Sequence, residues 1–78
     1  MRQVTLFTRA GCPLCEQMLE VIQQVARRRR FHLEIRDMEK NAGEMDLYAT
    51  ATPVICVDGR EIARYRLTAF VLEAALEN

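Results

Sequence analysis

The residues of this chain best suited to chemistry are two cysteines three positions apart, with a proline after the first: Cys12-Pro13-Leu14-Cys15. A cysteine thiolate is both a nucleophile and a metal ligand. On the first turn of a helix, residues at this spacing share one side. They can close a small disulfide ring after modest backbone adjustment. A helix start also offers unpaired backbone N–H groups and the positive end of the macrodipole, and both favour thiolate over thiol. Pro13 suits the first helical position, where its missing N–H has no helical partner to lose and its φ is already helical. Cys12 is therefore expected as the exposed thiolate at the helix N-cap, and Cys15, one turn in, as the more buried partner.

The flanking sequence reads as the frame for that pair. The run Gln3-Val4-Thr5-Leu6-Phe7-Thr8 is apolar on both faces, as a central strand covered on both sides would be, and Arg9-Ala10-Gly11 leads from it to Cys12. From about Pro13 to Arg29, Cys15, Met18, Leu19, Ile22, Val25 and Ala26 recur at helical spacing. Early Glu16 and the late run Arg27-Arg28-Arg29-Arg30 both match the helix dipole, so the arginines are assigned to closing this helix and to solvation rather than to an anion site.

Phe31-His32-Leu33-Glu34-Ile35-Arg36 alternates with period two, predicting a strand near a sheet edge with Phe31, Leu33 and Ile35 inward. His32 then faces solvent and not the dithiol. After the polar Asp37 to Gly43, a short helix is expected from about Ala42 or Glu44 to Ala49. Val54-Ile55-Cys56-Val57 reads as a buried strand, with Pro53 at one of the few strand positions that accept proline. Asp58-Gly59 predicts a hairpin turn into Arg60 to Tyr65. Thr68 caps a last helix, Ala69 to Glu77, with Val71, Leu72, Ala75 and Leu76 as its apolar stripe. Phe7, Phe31 and Phe70 are expected in the core, and Cys56 as a small buried hydrophobe.

Composition limits the alternatives. The 78 residues make one domain, half of them apolar, with 11 acidic residues against 11 basic ones. That balance gives no electrostatic footprint for nucleic acid, and no apolar run approaches the roughly 20 residues of a membrane helix. The opening residues lack the features of a secretory signal, so a cytoplasmic, monomeric protein is expected. Three cysteines cannot all pair within one chain, which fits a reducing compartment and points to redox chemistry or a metal.

The strand before Cys12-Pro13-Leu14-Cys15, then Thr52-Pro53-Val54, the Asp58-Gly59 hairpin and a final helix resemble a glutaredoxin over nearly the whole chain. The resemblance implies an α/β thioredoxin fold, β-α-β-α-β-β-α, with a four-stranded mixed sheet flanked by helices. It implies Cys12 as nucleophile, Cys15 as resolving cysteine, and Pro53 as a cis-proline facing the dithiol. Thr52 would offer backbone groups to the substrate beside Pro13 and Leu14, and Arg9 would lie near the glutathione carboxylate. The pattern departs from glutaredoxins at Leu14, where tyrosine is usual, and at Thr52, where valine is usual. It departs again at Ala63 to Thr68, where a Gly-Gly and an acidic residue are usual and only Thr68 can partly stand in.

The activity so implied is reduction of protein disulfides or glutathione mixed disulfides, with no bound cofactor and glutathione as reductant or co-substrate. A thioredoxin reductase-like flavoprotein is the alternative donor. Two readings of other classes stay open. The pair could bind zinc, copper or a shared iron–sulfur cluster, although Cys56 and His32 are badly placed to complete a closed site. The fold could also recognise a partner beside Pro53 without turnover.

Overall fold

The computed structural model describes residues 1–38 and 52–77. The helix expected between Ala42 and Ala49 lies outside them. Strand β1 (Arg2–Thr8) leads into α1 (Pro13–Ala26) and returns as β2 (Phe31–Asp37), which pairs parallel to β1 from Arg2↔Phe31 to Thr8↔Asp37. Strand β3 (Val54–Val57) runs antiparallel to β1, and β4 (Arg60–Arg64) folds back on β3. The described strands form one sheet in the order β2-β1-β3-β4, and α2 (Ala69–Glu77) follows. This is the mixed α/β sheet of the thioredoxin fold.

Strand alternation divides the core between the two sheet faces. Val4 and Leu6 of β1 and Ile55 and Val57 of β3 meet Met18, Ile22 and Val25 of α1 and Leu72 of α2. On the other face Phe7, Val54, Cys56 and Met38 form a second buried cluster. The expectation of a β1 apolar on both faces follows directly from this division. In the hairpin, Asp58 and Gly59 both take positive φ, 51° and 82°, as a two-residue type I′ turn requires. The Gln3 N–H donates to Asp58 Oδ1 at 3.0 Å, the Asp58 N–H donates to the Gln3 carbonyl at 2.8 Å, and Arg2 pairs with the same carboxylate. The turn is thereby tied to the start of β1.

Several expectations are corrected. Helix α1 stops at Ala26, not Arg29. Val25 is its last buried residue, and with arginines at 28 and 29 no apolar side chain is left to hold another turn to the core. The Arg28 and Arg29 N–H groups both donate to the Val25 carbonyl at 2.9 Å, closing the helix as a tight turn. The arginines therefore do not serve its dipole from within. Arg28 pairs with Glu73 at 3.1 Å, and Arg29 with Glu77 at 2.6 Å and Glu73 at 3.4 Å, bridging the end of α1 to α2.

Strand β2 is an edge strand as expected, but its apolar side is not buried. Leu33 and Ile35 pair with the buried Val4 and Leu6 and so share their face, yet are 38% and 51% exposed. The helices pack over β1 and β3, and only Phe31 of β2 reaches that cluster. Phe70, expected in the core, is 80% exposed. It lies two residues from buried Leu72, on nearly the opposite side of a helix with 3.6 residues per turn. Val71 is 38% exposed and lies outside the cluster, so the inward stripe of α2 is Ala69, Leu72, Ala75 and Leu76. Finally, Tyr65 is not the last residue of β4: the strand ends at Arg64 and Tyr65 turns away with φ 65°.

Candidate active site

Cys12 is the N-cap of α1, in extended conformation, with Pro13 as the first helical residue. The two sulfurs are joined as a disulfide, with Cα atoms 5.2 Å apart, inside the usual range for such a bridge. The Cys15 N–H donates to Cys12 Sγ at 3.1 Å, so an otherwise orphaned amide of the first turn points at the nucleophilic sulfur. The Glu16 N–H donates to the Cys12 carbonyl at 3.2 Å and closes the turn. Cys12 is half-buried and Cys15 buried, the asymmetry expected of an attacking and a resolving thiol. A negative charge on Cys12 Sγ would meet both the Cys15 N–H and the positive end of the α1 dipole.

The Thr52–Pro53 peptide is cis and Pro53 is buried. Phe7 pairs with Val54, so Pro53 stands at the same end of the sheet from which the chain leaves β1 for Cys12. The Pro53 carbonyl accepts the Tyr65 N–H at 2.8 Å, tying the start of the β4–α2 connection to the proline. The Thr52 hydroxyl oxygen is buried without a hydrogen-bond partner among the described residues.

The remaining site residues fall into two groups. Arg9 lines a cavity of about 260 Å³ with Cys12, Cys15, Leu6, Leu19 and Ile35. Thr68 lines a separate one of about 240 Å³ with Tyr65, Arg66, Leu67, Met18 and Val21. Its Oγ1 accepts the Val71 N–H at 3.2 Å and so caps α2. Arg9 and Thr68, expected at the two ends of one glutathione site, thus lie on different cavities. Leu14 is half-buried and Pro13 exposed on the first turn of α1.

The sequence places Tyr65 either beside the active-site groove or on the hairpin surface, and nothing in its residue type predicts its left-handed backbone or its bond to Pro53. Ile35 was legible as apolar, but its period-two pattern points to a core position rather than to the dithiol's surroundings. Cys56 faces the side of the sheet opposite α1, and among the described residues no group of three or more His, Cys, Asp or Glu side chains converges on a metal position.

A family model for the glutaredoxin-like domain (DUF836) matches residues 3–77. The chain belongs to the glutaredoxin-like domain family. Among solved structures, protein Ne2328 from Nitrosomonas europaea is similar at 28% identity, with a TM-score of 0.82 over 95% of this chain and 89% of that one. A structural-genomics target protein from X. campestris is similar at 29% identity, with a TM-score of 0.73 over 95% of each chain. Thioredoxin-2, a component of the malaria parasite protein secretion machinery, shares the fold at 18% identity, with a TM-score of 0.77 over 99% of this chain and 82% of that one. The glutaredoxin-like chain therefore carries its Cys12–Cys15 pair on a thioredoxin fold, which supports a redox role. None of its described helices is long and apolar enough to cross a membrane.

Proposed function

We propose that this glutaredoxin-like protein is a thiol–disulfide oxidoreductase acting on protein disulfides or glutathione mixed disulfides through Cys12 and Cys15. The observation that carries the reading is the N–H of Cys15 aimed at Cys12 Sγ at the helix N-cap. The Cys12 thiolate attacks one sulfur of the substrate disulfide, forming a mixed disulfide and releasing the other half as a thiolate. Cys15, deprotonated, then attacks Cys12 Sγ, releasing the second half and leaving the Cys12–Cys15 disulfide. Two electrons pass from the dithiol to the substrate, and two thiols of the donor restore the pair.

Glutathione is the first candidate donor, with Arg9 toward its carboxylate. A thioredoxin reductase-like flavoprotein is the alternative donor, since Thr68 lines a different cavity from Arg9 and its oxygen already caps α2, which leaves it less free to contact glutathione. The test is titration of the purified protein in glutathione buffers, followed by alkylation and intact mass. Reversible cycling with a glutathione adduct on Cys12 is expected. A pair that stays reduced throughout would end the exchange reading, whereas oxidation with no adduct would move the donor to a flavoprotein. In the same assay Cys15→Ser accumulates the mixed disulfide and Cys12→Ser falls to the uncatalysed background.

A further inference from the structure

Among the described residues, neither Thr52 nor Pro53 of the cis-proline turn lines the cavity beside the dithiol. Its described walls come from the end of β1, the β1–α1 connection, the first turns of α1 and β2, and include neither Thr52 and Pro53 nor the Tyr65 to Thr68 segment. Sheet order separates the two sides, because β2 lies on one flank of β1 and β3, which follows Pro53, on the other. A substrate whose sulfur reaches Cys12 has both sides within reach.

The lining is apolar where it is deep and charged where it is open. Leu6 forms the fully buried floor, Leu19 and Ile35 the walls, and Arg9 and Glu16 stand exposed at the rim with opposite signs, giving no preference for either charge. Both cysteines border it. A volume of about 260 Å³ is below the roughly 300–1,000 Å³ of sites that enclose a whole small molecule. It suits one large side chain. Ile35 is half exposed, and Leu33 continues the apolar surface along the edge strand, so partly exposed apolar side chains lead from the cavity outward.

We infer that this cavity is a specificity subsite for an aliphatic side chain next to the cysteine of a disulfide-bearing polypeptide, an inference that rests on the exchange reading above. The occupant is fixed by continuity with the reacting sulfurs: whatever is attacked by Cys12 is held against this opening. Burying its side chain on Leu6, Leu19 and Ile35 removes apolar surface from water during the mixed-disulfide step. Glutathione, which has no aliphatic side chain, gains nothing there.

The test uses the reduced full chain in single turnover with two symmetrical disulfide-linked peptide dimers that carry either leucine or serine beside the cysteine. The balance is closed: one dimer takes two electrons from Cys12 and Cys15, giving two peptide thiols and the protein disulfide. The wild-type protein is expected to oxidise about tenfold faster with the leucine dimer, measured as the second-order rate constant of oxidation. Ile35→Lys brings that ratio close to one and Ile35→Ser lowers it partway, while Phe70→Ser, on the exposed side of α2, keeps it. Should Ile35→Lys not fold, Ile35→Ser carries the comparison. A wild-type ratio near one, or a ratio that both Ile35 variants leave unchanged, overturns the subsite. 2-Hydroxyethyl disulfide separates the two levels: if it oxidises the pair and leucine confers no advantage, only the subsite falls. If neither it nor the peptides oxidise the pair, the exchange reading falls as well.

Discussion

At Cys12 a single backbone amide stands where a basic side chain could stand: 3.1 Å from the sulfur, it would meet a negative charge there without a titration of its own. The same logic governs the other cap. Thr68 Oγ1 accepts the Val71 N–H, and Thr68→Ala is expected to lower stability by about 1 kcal/mol in urea denaturation. Gly59 sits at φ 82° with open space where a Cβ would go, so Gly59→Ala meets no clash but forces a side chain into the left-handed region. A loss of about 1–2 kcal/mol is expected in the same measurement. Residues of this kind were legible because their chemistry is local: Cys12, Pro13, the Asp58-Gly59 pair and the Thr68 cap each announce a backbone geometry by residue type. Tyr65 does the reverse, adopting a backbone that its side chain disfavours, and no sequence rule signals it.

Among the elements, α1 is held by the buried stripe of Cys15, Met18, Ile22 and Val25. Ile22 is fully buried between the sheet and α2, and Ile22→Ala should cost about 2–5 kcal/mol, read as a lower denaturation midpoint with an unchanged denaturant slope. Element type and order were legible throughout the described chain, since periods of two and 3.6 separate the strands from the helices. What was not legible is which elements cover which. The alternation of Phe31, Leu33 and Ile35 announces an apolar side, but only the lateral position of α1 and α2 over β1 and β3 leaves its outer part in solvent. The end of α1 was hidden for a related reason. Arginines extend a helical pattern well, and their partners Glu73 and Glu77 lie more than 40 positions away, as the 45 and 48 residue separations of the Arg28 and Arg29 bonds show.

At the scale of the whole molecule, three surface carboxylates among the described residues contribute an acid dependence to stability. Asp58 is held below its ordinary value of 3.8 by the Gln3 N–H and then by Arg2. Glu61 is held below 4.5 by the Arg64 hydrogen bond, and Glu73 below 4.5 by Arg28 and Arg29. Each titrates lower in the folded chain than in the unfolded one. Its contribution is therefore fully present above those ordinary values and is lost as pH falls through the lower folded ones. Urea midpoints measured from neutral pH down to about pH 3 should fall across the acid end of that range. In Asp58→Asn and Glu73→Gln the fall is expected to be shallower. Added salt should flatten it too, because the pairs are exposed and screened.

The division of the core between the two sheet faces has a consequence for the third cysteine. Cys56, 4% exposed beneath the face away from α1, stays outside the disulfide while Cys12 and Cys15 are joined. In the oxidised chain a soluble alkylating agent can therefore reach a thiol only when the packing around Cys56, with Phe7, Met38 and Val54, opens. The rate at which Cys56 acquires the label becomes a clock for that opening, comparable to amide exchange from the centre of β3. The chain carries its own gauge of local opening, readable by mass alone, on the sheet face away from α1.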